Sequence, residues 1–166
     1  WNSRNRWRSI RSVMKFAVVS TLCAFAASPT IAVAQLTDAD WPTWRGPLVG
    51  APKHTGVPVA WSATENVKWK TALDLPGNSS PIVVANRVFI TAGTADGAER
   101  ALIAFDADSG KHLWRKTLTA KPKELTHETN PYCASSPATD GERIYVWHGS
   151  AGAAAFDFDG KELWRV

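Results

Sequence analysis

Hydrophobic positions fall along this chain in two patterns. Phe16 to Ala27 is one run of apolar or small residues, whereas from about residue 66 apolar side chains come in short β-branched and aromatic runs. Val67-Lys68-Trp69-Lys70-Thr71 alternates apolar and polar, the period expected of a strand. After Ser79-Ser80-Pro81 come an entry strand, Arg87-Val88-Phe89-Ile90, a run ending in Ala104-Phe105-Asp106 and one carrying Leu113-Trp114. Ala85-Asn86, Ala95-Asp96-Gly97 and Asp108-Ser109-Gly110 separate them, supplying the positive-φ or side-chain-bonded positions that tight reversals need.

The same order then returns. Ser135-Ser136-Pro137, Arg143-Ile144-Tyr145-Val146, Ala155-Phe156-Asp157 and Leu163-Trp164 repeat the first unit, with turns at Asp140-Gly141 and Asp159-Gly160. The offset is 56 residues at the start and 50 at the end, so the second unit has shorter loops. Four short strands per repeat of about 40 to 50 residues, with one aromatic at a fixed place, is the pattern of propeller blades. The expected fold is all-β: a partial β-propeller of two four-stranded antiparallel blades, plus an N-terminal strand over Val67 to Leu73. The expected division is an upstream extension and signal peptide at 1–34, an irregular segment at 35–65, and repeats at 66–166.

Charge bears on the leader more than on any partner. The chain carries 19 basic and 15 acidic residues and has a pI near 9.3. Five of the bases, Arg4, Arg6, Arg8, Arg11 and Lys15, precede residue 35 and none of the acids does, which leaves 14 bases against 15 acids. A near-neutral body lacks the electrostatic footprint of a phosphate-backbone binder, so nucleic acid is excluded as a partner. Met14-Lys15, the apolar run, Pro29 and Ala32-Val33-Ala34 together read as a signal peptide cleaved after Ala34. The run is too short to span a bilayer, so the expected location is secreted or periplasmic, with no membrane span. Met14 is the expected working start, and residues 1–13 an upstream extension. Cys23 lacks the small preceding residue of a lipoprotein site, and after cleavage only Cys133 remains.

Ala104, Asp106, Ser109, Gly110 and Trp114 resemble the tryptophan-docking motif of the quinoprotein family, A-x-D-x-x-[ST]-G-x-x-x-W. Ala155, Asp157, Gly160 and Trp164 form a second copy, one residue shorter in the turn. Trp41-Pro42-Thr43-Trp44-Arg45-Gly46-Pro47, Trp61-Ser62 and Ser79-Ser80-Pro81 add a resemblance to secreted bacterial proteins with pyrroloquinoline quinone (PQQ)-like repeats. The resemblance covers about residues 40 to 166. It implies a ring of seven or eight blades in which Asp and Gly shape each turn and Trp docks each blade on its neighbour. Two blades fall short of that, and the chain stops within a strand, so it reads as an N-terminal fragment with blade edges open to self-association.

Dehydrogenases of that resemblance use an Asp base, Ca²⁺ and often a pair of adjacent cysteines over PQQ. No Cys-Cys pair occurs here, and Asp106 and Asp157 sit in turns where bonding to backbone amides is the simpler role. No catalytic, cofactor-binding or metal residue is therefore assigned. PQQ with calcium belongs only to the alternative reading, a fragment of a PQQ-dependent oxidoreductase. The leading reading is a scaffold that binds an unknown protein or polysaccharide-like ligand. Its candidate ligand loop is His127, Glu128, Asn130 and Tyr132, in the long connection between the repeats, where a rigid scaffold commonly carries function. His127 and Cys133 do not have a zinc spacing, and His148 supplies no obvious second pair. Cys133 reads as a small buried side chain at a strand entry.

Overall fold

The computed structural model describes residues 35–47, 56–121, 124–130 and 132–166. All of them belong to one structural unit, Ala32–Val166. The signal peptide expected at Met14 to Ala34 lies outside the described residues.

Two antiparallel meanders of four strands make up the ordered structure. The first comprises β1 (Ile82–Val84), β2 (Arg87–Gly93), β3 (Glu99–Asp106) and β4 (His112–Thr119). The second comprises β5 (Ala138–Thr139), β6 (Ile144–Trp147), β7 (Ala153–Phe156) and β8 (Glu162–Arg165), with one 3₁₀ turn at Gly149–Ala151. No α-helix occurs among the described residues, so the chain is all-β with two four-stranded sheets.

Turn chemistry sets the register. Val84 pairs with Arg87 across Ala85 and Asn86, whose φ values of 50° and 57° are those of a two-residue hairpin turn that matches strand twist. At the β3–β4 turn the Asp106 carboxylate accepts hydrogen bonds from the Ser109 amide (2.8 Å), the Ser109 hydroxyl (2.6 Å) and the Asp108 amide (3.2 Å). The shorter β7–β8 turn is held likewise, Asp157 accepting from the amides of Asp159 (3.0 Å) and Lys161 (2.8 Å).

Both outer ladders carry a one-residue bulge at the same place. Ala104 faces Trp114 but Phe105 faces His112, and Ala155 faces Trp164 but Phe156 faces Glu162. The extra residue, Leu113 or Leu163, stands exposed at the bulge. A bulge re-aims the following side chain. It brings Trp114 onto the face of Ile82, Phe89 and Ala104, which lie opposite one another across successive ladders.

That face packs on the second sheet. Ile82, Val84, Phe89, Leu102, Ala104 and Leu118 share one core with Ile144, Val146, Ala154 and Phe156. Alternation along the strands gives the first sheet a second apolar face, Ala92, Ala101, Ile103 and Phe105, against which Leu75 packs. With both faces covered, β3 is buried through Arg100–Phe105.

The tryptophans join successive layers in one geometry. Trp69 Nε1 donates to the Ala107 carbonyl (2.9 Å), and Trp114 Nε1 donates to the Phe158 carbonyl (3.0 Å). Ala107 and Phe158 are the residues that follow the turn aspartates. Gly110, at φ +70°, lies under the Trp69 ring, where an added Cβ would come within 2.5 Å of ring carbons. Gly160 lies under Trp114 in the same way. The N-terminal strand expected over Val67 to Leu73 is not formed: these residues make no ladder with any described residue, and Trp69, a Thr71 bond to the Gly110 carbonyl (2.7 Å) and the Lys68–Asp108 ion pair hold them to the first sheet instead.

Further upstream, Trp41 exchanges two backbone hydrogen bonds with Val83, and the Pro42 carbonyl accepts from Thr139. One segment thus lines the β1 edge and ties it to β5.

Candidate functional site

In a meander, alternate turns gather at one end. The β2–β3 turn, the β6–β7 turn and the connection from β4 to β5 therefore meet at the junction of the two sheets. Arg100, the second residue of β3, stands at their centre and has no exposed surface. Its guanidinium donates through Nε to the Gly97 carbonyl (3.2 Å) and through Nη1 to the carbonyl of His148 in the β6–β7 turn. Nη1 also pairs with the Glu124 carboxylate at 2.5 Å. The guanidinium carbon lies 4.8 Å from the centroid of the Tyr132 ring, a cation–π contact. A single cation thus ties both sheets to the connection.

Electrostatics follow from this packing. The Arg100 hydrogen bond holds the Glu124 carboxyl well below the ordinary carboxylate range. His148, almost fully buried, is pushed down to about 4, first by desolvation and then by the positive charges of Arg100 and Arg165. Its Nδ1 lies 4.0 Å from the buried Cys133 sulfur, whose pKa is raised by burial. A neutral imidazole beside a protonated thiol is not an activated nucleophile. Arg100 Nη2 and His148 Nε2 are buried with no hydrogen-bond partner among the described residues.

Outside this buried cluster an open groove of about 410 Å³ runs along the connection. Tyr132, Trp147, His127 and Asn130 line it together with Thr126 and Ser135. Trp147, the last residue of β6, is 59% exposed. His127 and Asn130 close a tight turn by a backbone bridge, and His127 Nδ1 lies 2.8 Å from the Thr129 hydroxyl. Among the described residues no group of three or more His, Cys, Asp or Glu side chains is placed to hold a metal ion.

The repeats with their stacked tryptophans now have a counterpart among known families. Residues 4–166 match the family model PQQ_2, described as outer membrane protein assembly factor BamB. The chain belongs to the PQQ_2 family. No curated protein matches it. The match spans both sheets of this PQQ_2 chain and supports a β-propeller repeat protein. No helix among the described residues is long and apolar enough to cross a membrane, which does not bear on β-barrels.

Of the loop residues singled out in the sequence, the groove unites His127, Asn130 and Tyr132, while Glu128 is exposed and does not line it. Arg100, Glu124 and Trp147 were not singled out in the sequence, and His148 was weighed there only as a metal ligand. Arg100 and His148 sit 48 residues apart, and no local spacing signals their contact. One signal was present for Arg100: a charge in a strand run otherwise apolar from Ala101 to Phe105 needs a buried partner. The motif residues Ala104, Asp106, Ser109, Gly110 and Trp114, with Ala155, Asp157, Gly160 and Trp164, lie on the last two strands of each sheet and the turns between them, and none lines the groove.

Proposed function

We propose that this chain is an exported binding scaffold, without catalytic chemistry of its own, whose ligand or partner docks in the groove at the junction of the two repeats. One observation carries the reading. The strongest charges at the junction, Arg100 and Glu124, are spent on each other and on holding the connection. Besides Glu124 and Leu125, the described side chains that line the groove are mainly aromatic and neutral polar. Such a lining on a pinned loop favours recognition over proton or hydride transfer. Export is part of the proposal, supported by the apolar run at Phe16 to Ala27 with its Ala32-Val33-Ala34 site and by the family description's reference to the outer membrane. The division into leader, irregular segment and repeats belongs to the same proposal.

The second reading is a fragment of a PQQ-dependent oxidoreductase. PQQ is a planar quinone with three carboxylates, and among the described residues the groove lining offers no lysine or arginine to meet them. Arg100 lies fully buried beneath, committed to Glu124. The described lining of this groove does not fit that cofactor, and no step is derived through it. Adding PQQ and Ca²⁺ to the purified chain tests the choice. The scaffold reading expects neither bound-cofactor absorbance nor dye reduction; stoichiometric binding with turnover would replace it.

A further inference from the structure

We infer that the mature chain begins at a modified residue, Gln35 cyclised to pyroglutamate. The inference rests on the export reading and adds the chemical state of the terminus that export creates.

The sequence supplies the reactants. Cleavage after Ala34, the last residue of Ala32-Val33-Ala34, leaves a glutamine as the first residue. Its new α-amine and its own side-chain amide can then close a five-membered ring. The amine nitrogen attacks Cδ, the N–Cδ bond forms and the Cδ–Nε2 bond breaks. One amine proton goes to the departing nitrogen, which leaves as ammonia, so no oxidant, cofactor or second substrate is needed. An intramolecular attack of this kind has a high effective concentration. An ordinary α-amine titrates near pH 8, so about a tenth of it is unprotonated at pH 7.

The structure places them where the ring can close. Gln35 and Leu36 are exposed beside the β1–β2 turn, at Val84, Ala85 and Asn86. Among the described residues the Gln35 side chain has no hydrogen-bond partner, so no bond among them must break before the amide folds back on its own backbone. The pinned structure starts just after it. The Thr37 amide and hydroxyl donate to Asp40 Oδ2 (2.6 and 2.8 Å), Asp40 Oδ1 accepts from the Ala85 amide (3.3 Å), and Trp41 pairs with Val83. Cyclisation therefore changes only the residue outside the Thr37–Asp40 turn. The same segment lines the β1 edge and ties it to β5 through Pro42, so its open end is the point from which trimming would undo that tie. A lactam terminus offers no primary amine to an aminopeptidase and carries no positive charge.

The test is export of the whole chain from a bacterial host, followed by intact mass and sequencing of the tryptic peptide that ends at Arg45. The expected peptide starts at residue 35 and weighs one ammonia less than its uncyclised form. It gives no Edman signal until pyroglutamyl aminopeptidase removes the first residue. Gln35→Ala should be cleaved at the same bond and yield an open amine. An equal mass loss in the Gln35→Ala peptide places the reaction at another residue and overturns the site. A peptide that starts at Gln35 and keeps its amine through days at neutral pH overturns the cyclisation and leaves export standing. A product that is uncleaved, or that starts elsewhere, overturns the cleavage and the inference with it.

Discussion

His148 makes this fold pH-sensitive through a single side chain. Its folded pKa of about 4 lies below the ordinary 6.5, because burial and two nearby guanidinium groups disfavour the imidazolium. The unfolded chain therefore binds the extra proton first, and stability falls as pH drops from about 6.5 towards 4, by up to about 3 kcal/mol. Denaturant melts between pH 7.5 and 4.5 should show that slope, and His148→Asn should flatten it. Glu124 acts in a separate, lower window: its depressed carboxyl contributes stability that is complete above 4.5 and is lost as pH falls further. The Arg100–Glu124 pair gives a second expectation at this scale. Glu124→Gln leaves a fully buried guanidinium without its counter-charge and should cost about 2 to 3 kcal/mol, read as a lower midpoint in urea.

At the scale of elements, the unit of construction is a tryptophan on one layer and a glycine turn on the next. Gly110 has two reasons to be glycine: a φ of +70° and the Trp69 ring immediately above it. Gly110→Ala should destabilise by about 2 kcal/mol or more, release Trp69 and shift tryptophan fluorescence to the red. Gly160→Ala should be milder. Its closest neighbour is the flexible end of Lys116 at 2.6 Å, and the Trp114 ring begins at 2.9 Å. Trp114→Ala tests the other half of the unit. The indole ring lies 5.7 Å from Phe89 and its N–H holds the Phe158 carbonyl, so its removal should cost about 3 kcal/mol, measured by thermal unfolding. The bulge shared by the two outer ladders explains why Leu113 and Leu163 tolerate water: they are spacers that put the next residue, Trp114 or Trp164, opposite the motif alanine of the neighbouring strand.

Across the whole molecule the two sheets differ in what covers their second faces. The outer face of the first sheet lies under Trp69, Thr71 and Leu75. On the second sheet, Ala138, Tyr145, Ala155 and Trp164 lie opposite one another in successive ladders, and Trp164 is 44% exposed. These positions correspond to Ile82, Phe89, Ala104 and Trp114, which pack on a neighbouring sheet. A contiguous aromatic face of this kind binds hydrophobic dyes and favours self-association. Purified chain should therefore enhance dye fluorescence and sediment faster at higher concentration, and Trp164→Lys should reduce both effects. A dye-silent, monodisperse sample would contradict that expectation.

Much of this architecture was legible in the chain order. Period-two runs, positive-φ turn residues and the recurrence of Ala-x-Asp, Gly and Trp are local signals, and they marked the strands of both sheets, the turns and the two-unit repeat, although the alternation at 67–73 marked a strand that forms no ladder with any described residue. They also marked Asp106 and Asp157 as turn residues, because each carboxylate accepts from amides two to four positions along the chain. What the tertiary structure decided was every partnership between distant residues. Which carbonyl each indole meets, the burial of Arg100 against Glu124, the approach of His148 to Cys133 and the entry of Trp147 into the groove arise only when two sheets pack face to face. Contacts across 15 to 48 residues carry no period that a strip of sequence can display.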